Sequence, residues 1–296
     1  PSKFEIEHSL LQKAVRRGNV ELVEKVFNYL LSQQGSKWLK DRLLVIAYEE
    51  CWPYAEKIYL PCNDYELLQH YKNITLNIKN KNACGLADLA MKLKGGKDVS
   101  NVGNSKDQNA ISSVKNAILK PTEFWAWVKK HQEYLKYKAR IDKAEMDIKR
   151  MSFEVDKAMV YAAVYLILNS TIPGIKTTTG NNDPDFPYWI AVDKHTSVGR
   201  DIYSDICEEL GLDVFKSLKL GFYLEGGNCN VIEDSPFWEL NKKWQLDSTG
   251  FTKDVAEEKW KVISEKIQDH ARVKTEVEST KKKINKSESD SDPDEL

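Results

Sequence analysis

The sequence predicts an all-α fold, a multi-helix bundle or collar-like helical array with one long loop and a charged tail. Three observations carry this. Apolar residues recur at i, i+3, i+4 and i+7 through most of the chain. No segment sustains the alternation of a half-buried strand. Residues that start and stop helices stand where the apolar stripes begin and end. With 41% hydrophobic residues and eight tryptophans over 296 positions, the chain can bury a proper core.

The first stripe is Leu10, Leu11, Ala14 and Val15, and the second is Leu22, Val23, Val26, Phe27, Leu30 and Leu31. Gly18 suits the residue after a helix end, Arg16 and Arg17 suit its carbonyl end, and Asn19 suits the cap of the next helix. Ser36 is placed to cap a third helix carrying Trp38, Leu39, Leu43, Ile46 and Ala47 and stopping near Pro53. Glu49 and Glu50 follow the apolar run LLVIAY, so one of them is expected to be buried and hydrogen-bonded. Cys51 beside them reads as a small core residue.

Asp64–Tyr71 and Lys81–Leu93 read as shorter helices. The Gly-, Ser-, Asn- and Lys-rich stretch Lys94–Gln108 reads as a mobile basic loop. Pro121 opens a long helix through Met151, with Pro in its first turn. Of Trp125 and Trp127, which face different ways on it, at least one is expected in the core. Phe153–Leu168 is the most apolar helix and is expected to sit centrally. Asn169–Pro187 is a long loop, and helices are expected over Ser197–Leu210 and Thr252–Lys274. The resulting division is a collar-like helical domain over 1–168, a loop over 169–187, a second helical lobe over 188–274, and a disordered charged tail over 275–296.

The net charge of −1 hides a split. Residues 1–150 hold 26 Lys and Arg against 18 Asp and Glu, and residues 151–296 hold 18 against 27. Such asymmetry hints at a polyanion-binding face paired with an acidic tail. Three basic clusters are candidates for nucleic acid: Lys13, Arg16 and Arg17 at the first helical corner; Lys94, Lys97 and Lys106 on the glycine loop; and Lys129 and Lys130, followed by Lys136, Lys138 and Arg140, along the long helix. Phosphate contact needs positive charge and little geometry, and aromatic residues among the lysines can stack single-strand bases. The tail SESDSDPDEL could lie on a basic groove and compete there.

Several classes are excluded. Gly95–Asp98 (GGKD) lacks the leading glycine and the trailing Ser or Thr of a phosphate loop. The five histidines are far apart, and Glu5–His8 is a single ExxH where a di-iron bundle needs two, so no metal or other cofactor is expected. Five cysteines without CxxC spacing point to reduced thiols, and the N-terminal residues show no basic-then-apolar signal. With no apolar run long enough to span a bilayer, the location expected is intracellular, with no membrane partner. Gln245–Phe251 only faintly matches the peptides that dock on sliding clamps.

One segment could hold a compact anionic ligand. Thr196 or Ser197 can cap a helix bearing Gly199 and Arg200, which places Asp193, Lys194 and His195 at its N-terminus, where free N–H groups point outward. Asp193 would set the tautomer of His195. No set of catalytic residues is legible.

The stretches LLQKAVRRGNVELVEKVFNYLL and WLKDRLLVIAYEECW, through Arg42, Leu43, Ala47, Glu49 and Glu50, resemble the helical C-terminal region of clamp-loader-like AAA+ ATPases. These are of the RarA/MgsA type, which includes the Werner-helicase-interacting protein. The likeness covers about 45 residues and comes without the family's ATPase domain. It implies a collar-type helical module used for oligomerisation, a homo-oligomer included, and for DNA replication or repair. The expected function is therefore a non-enzymatic accessory. It would bind DNA, single-stranded DNA included, or a replication or repair protein through its basic N-terminal half. The alternatives are a helical protein–protein adaptor without nucleic-acid affinity and an enzyme with a phosphate or ligand site around Asp193–Arg200.

Overall fold

The computed structural model describes residues 5–181, 197–221, 223–224 and 229–270. Among these the fold is all-α, with isolated β-bridges and no strand. Helix α1 (Glu5–Arg17) ends at Gly18, whose φ of 77° is open to glycine at little cost. The Asn19 side chain accepts from Leu22 N at 2.9 Å and starts α2 (Val20–Glu50). The separate third helix expected from Ser36 is the second half of α2. Gly35 (φ 78°, ψ 168°) bends the path, and the buried Ser36 Oγ makes no hydrogen bond, so glycine backbone rather than a serine cap makes the turn.

After a 3-10 turn at Trp52–Lys57 comes α3 (Asp64–Leu76), fixed at its start by a reciprocal Asn63–Glu66 capping box and longer than its apolar stripe suggests. Helix α4 (Asn82–Lys94) follows. The glycine loop is shorter than expected. Asn104 and Asp107 form a second capping box that opens α5 (Ser105–Leu119), which buries Ala110, Ile111, Val114, Ala117 and Ile118.

The long helix from Pro121 is two helices, α6 (Pro121–Lys130) and α7 (Tyr134–Asp147). His131 is extended between them (φ −68°, ψ 139°), and its Nδ1 accepts the Glu133 N–H at 3.2 Å, a local bond that competes with continuing the helix. Neither tryptophan of α6 is fully buried, though Trp125 packs against the core. Trp125 is half-buried and Trp127 is 39% exposed, while Phe124 and Val128, one turn apart, are the buried pair. Helix α8 (Glu154–Asn169) is apolar nearly all round and central, as its composition predicts.

The main core joins α1 to α8 with Phe237 and Trp238 of α11 (Pro236–Asp247). Helix α4 lies at its centre, against α2, α5, α8 and α11. A second core joins α9 (Ser197–Leu210), α10 (Val214–Gly221), Leu246 at the end of α11, and α12 (253–270), through Ile202, Ile206, Leu220, Trp260 and Ile263. Helix α11 therefore belongs to both cores. Its first turn crosses α4 so closely that a Cβ at Gly85 would lie 2.3 Å from Trp238 N.

The extended residues 77–80 tie distant segments together. Ile78 N donates to Lys176 O, Lys79 N to Val231 O, and Asn80 N to Glu50 O. The Lys79 ammonium turns back on α3 and donates to the carbonyls of Ile74, Thr75 and Asn77 at 2.7–2.9 Å, serving as a buried C-terminal cap. Burial pulls its pKa down, to about 8.

Candidate functional site

Of the basic corner near the start of the sequence, Arg16 faces inward. Arg16 is buried and donates from Nε to Glu50 Oε1 at 2.8 Å, and its Nη2 lies 2.8 Å from Glu49 Oε1 and 2.7 Å from Glu50 Oε1. The other oxygen of Glu50 accepts from Lys81 Nζ at 2.9 Å, and Gln12 Nε2 donates to Oε1 at 3.3 Å. Arg42 in turn donates to Gln12 Oε1. Lys81 also stands 4.5 Å from the Trp238 ring centroid.

Burial opposes ionisation of Glu50, but Arg16 and Lys81 outweigh it and hold the carboxyl well below its ordinary range. The same pairing, against burial, keeps Arg16 and Lys81 protonated well above theirs. This cluster locks α1, α2 and α4 together. The expectation that Arg16 contacts phosphate is therefore corrected: its charge is spent on Glu49 and Glu50. The α1 carbonyl end is met by backbone, with Asn230 N donating to Arg16 O and Asn181 N to Gly18 O.

The remaining candidates scatter. Lys13 and Arg17 are partly exposed on α1. Lys94 pairs with Glu154 at 2.8 Å, and Lys129 with Glu145 at 3.2 Å. Lys106 and Lys130 are exposed, at the start of α5 and the end of α6. Asp193, Lys194, His195 and Thr196 lie outside the described residues, and Arg200 is exposed on α9. Lys97 alone among the candidates stands in a larger constellation.

That constellation forms where α4 and its following loop meet α10, α11 and α12. The Trp244 ring takes Lys92 Nζ at 5.1 Å and Lys219 Nζ at 5.6 Å from its centroid, and its Nε1 donates to Asp98 O at 2.9 Å. The Phe251 ring takes Lys216 Nζ at 5.2 Å and Lys259 Nζ at 5.3 Å. Lys216 and Lys219, three apart on α10, link the two rings. Burial first, then the charges of Lys97, Lys92 and Lys216, lower the pKa of Lys219, while Asp213 works against them. None of these five lysines forms an ion pair with a described carboxylate. Asp213 accepts from the backbone N of Lys216 at 2.9 Å, and Lys92 donates at 2.9 Å to Asn241 Oδ1, whose Nδ2 in turn donates to Asp88 Oδ2 at 2.9 Å.

The result is four ammonium groups held beside two aromatic rings, with the charge of Lys97 acting on one of them, drawn from both halves of the sequence. Sequence reasoning found Lys97 and missed Lys92, Lys216, Lys219, Lys259, Trp244 and Phe251. The only local signal was the i, i+3 lysine pair of α10.

Elsewhere a cleft of 470 Å³ lies between the 3-10 turn, α7 and residues 171–175, with Arg140 on its wall engaged by Glu56. The five cysteines are free thiols, and burial pushes Cys51 up to about 11. Among the described residues no group of His, Cys, Asp and Glu could hold a metal ion, and no helix is long and apolar enough to cross a membrane. Set against protein-family models, curated proteins and solved structures, the chain finds no match in any of the three.

Proposed function

We propose that this chain is a non-enzymatic accessory of DNA replication or repair that binds DNA through the lysine and aromatic surface around Trp244 and Phe251. The observation that carries the reading is the set of five lysines that form no ion pair with a described carboxylate. Three of them, Lys216, Lys219 and Lys259, come from the half of the sequence that is acidic by composition. Lysines already paired with carboxylates gain little from a phosphate, whereas unpaired ones release the counterions that drive nucleic-acid binding. Cation–π contact restrains the ammonium groups before any ligand arrives, which lowers the entropy lost on binding. The resemblance of the first 50 or so residues to collar regions of clamp-loader-like ATPases points the same way.

The test is fluorescence anisotropy with a labelled twenty-nucleotide oligothymidine and a duplex of equal length, across a salt series. Binding that weakens steeply with salt is expected, together with its loss when Lys97, Lys216 and Lys219 are all replaced by Glu. Absence of binding to both probes at low ionic strength would overturn the reading and leave a protein–protein adaptor in its place.

A further inference from the structure

We propose that the acidic segment 287–296 of this same chain docks on the lysine surface around Trp244 and Phe251 and so competes there with other polyanions. Between Ser287 and Leu296 stand Glu288, Asp290, Asp292, Asp294 and Glu295, five carboxylates with no basic residue among them. They oppose in sign the ammonium groups of Lys97, Lys216, Lys219 and Lys259, whereas Lys92 is engaged by Asn241. Four of the five recur at every second position, the spacing that presents side chains on one side of a peptide lying extended along a surface.

Reach is not limiting. Lys259 lies on α12, whose last described residue is 270, eleven positions further on. At about 1.5 Å per helical residue that end is roughly 16 Å along the axis from Lys259. The chain from 270 to 287 can span up to about 60 Å. A ligand tethered within range meets its site at an effective concentration of order millimolar, so even weak ion pairing is enough to occupy it. The surface, whose lysines form no ion pair with a described carboxylate, thus has a complementary partner in the same polypeptide. The consequence for DNA rests on the function proposed above; the docking itself does not.

Zero-length carbodiimide cross-linking of the full chain at low salt, mapped by mass spectrometry, tests the docking without DNA. The expected links join the carboxylates of 288–295 to Lys97, Lys216, Lys219 or Lys259, and they vanish at high salt. Links absent, or spread evenly over other exposed lysines such as Lys106, Lys130 and Lys149, would overturn the proposal. In an equal mixture of isotopically light and heavy chains the links should stay within one isotope; light-to-heavy links would overturn docking in the same chain.

The oligothymidine titration is then repeated with a variant ending at Lys286, for which tightening of roughly tenfold or more is expected. Cross-links in place but affinity unchanged would overturn the competition. Cross-links in place with no DNA binding by either form would sink the DNA reading alone and leave the docked segment standing.

Discussion

Arg16 and Glu50, thirty-four positions apart, meet with Nε 2.8 Å from Oε1, and the Glu50 side chain is wholly buried. A carboxylate taken fully out of water is tolerable only with its charge matched and its lone pairs filled. Glu50 has both from Arg16, Lys81 and Gln12. Replacing it with Gln keeps the shape and leaves Arg16 and Lys81 buried with less countercharge, so Glu50→Gln should cost about 3–5 kcal/mol. Its neighbour Glu49, still 20% exposed, shares the same cations with water at hand, and Glu49→Gln should cost about 1 kcal/mol or less. Urea denaturation of both variants checks the ranking. Equal losses would mean the buried cations do not depend on Glu50 in particular.

Asp156 behaves in the opposite way. Burial pushes its pKa up to about 6; Arg42 opposes the rise and Glu49 adds to it. A carboxyl whose folded pKa lies above its unfolded value binds its proton more tightly when folded. Stability therefore falls as pH climbs from about 4 to about 6 and is level above that. Asp156→Asn removes the penalty, so it should stabilise by about 1–3 kcal/mol at pH 7.5 and by almost nothing at pH 4. Thermal melts of both proteins at the two pH values decide it. A variant less stable at pH 7.5 would show that the ionised carboxylate is well solvated or paired.

Gly85 sets how closely α11 can approach α4. A Cβ there would fall 2.3 Å from Trp238 N and 2.4 Å from the Phe237 carbonyl carbon, both backbone atoms that no rotamer change can move. Gly85→Ala must push α11 outward, carrying Trp238 from Lys81 and Phe237 from its Asn82 cap. A loss of about 2–3 kcal/mol is expected, against the gain of about 1 that Ala normally brings inside a helix. A Gly85→Ala protein as stable as its parent by denaturant titration would mean the two helices slide without penalty.

What the sequence made legible was whatever depends on neighbours within a turn or two. The stripes of α1, α2 and α8 and the Asn19 cap follow local periodicity and local hydrogen bonding, and so does the burial of one carboxylate after LLVIAY. Helix α5 was hidden because its polar first turn, capped by Asn104 and Asp107, has the composition of a loop. The break at His131 was hidden because nothing in the spacing of α6 and α7 requires it. Arg16 and Lys97 show the limit for function: both are basic residues within two positions of a glycine. Long-range packing alone decides that one is consumed by Glu50, 34 positions on, while the other joins Lys219, more than 100 positions on.

That contrast gives the last prediction. Lys97, Lys106 and Lys130 are all exposed, and composition alone ranks them equally for phosphate contact. Only Lys97 shares its surroundings with further unpaired lysines, since its charge acts on Lys219 beside Trp244. Lys106 stands in the first turn of α5 and Lys130 at the end of α6. Each phosphate contact removed from single-stranded DNA should lower the slope of log affinity against log salt by about 0.7. Lys97→Ala should show that loss, and so should Lys219→Ala, whereas Lys106→Ala and Lys130→Ala should leave the slope unchanged within error. A uniform drop across all four would mean that DNA follows the overall charge of the N-terminal half and that the rings at Trp244 and Phe251 do not organise the contact.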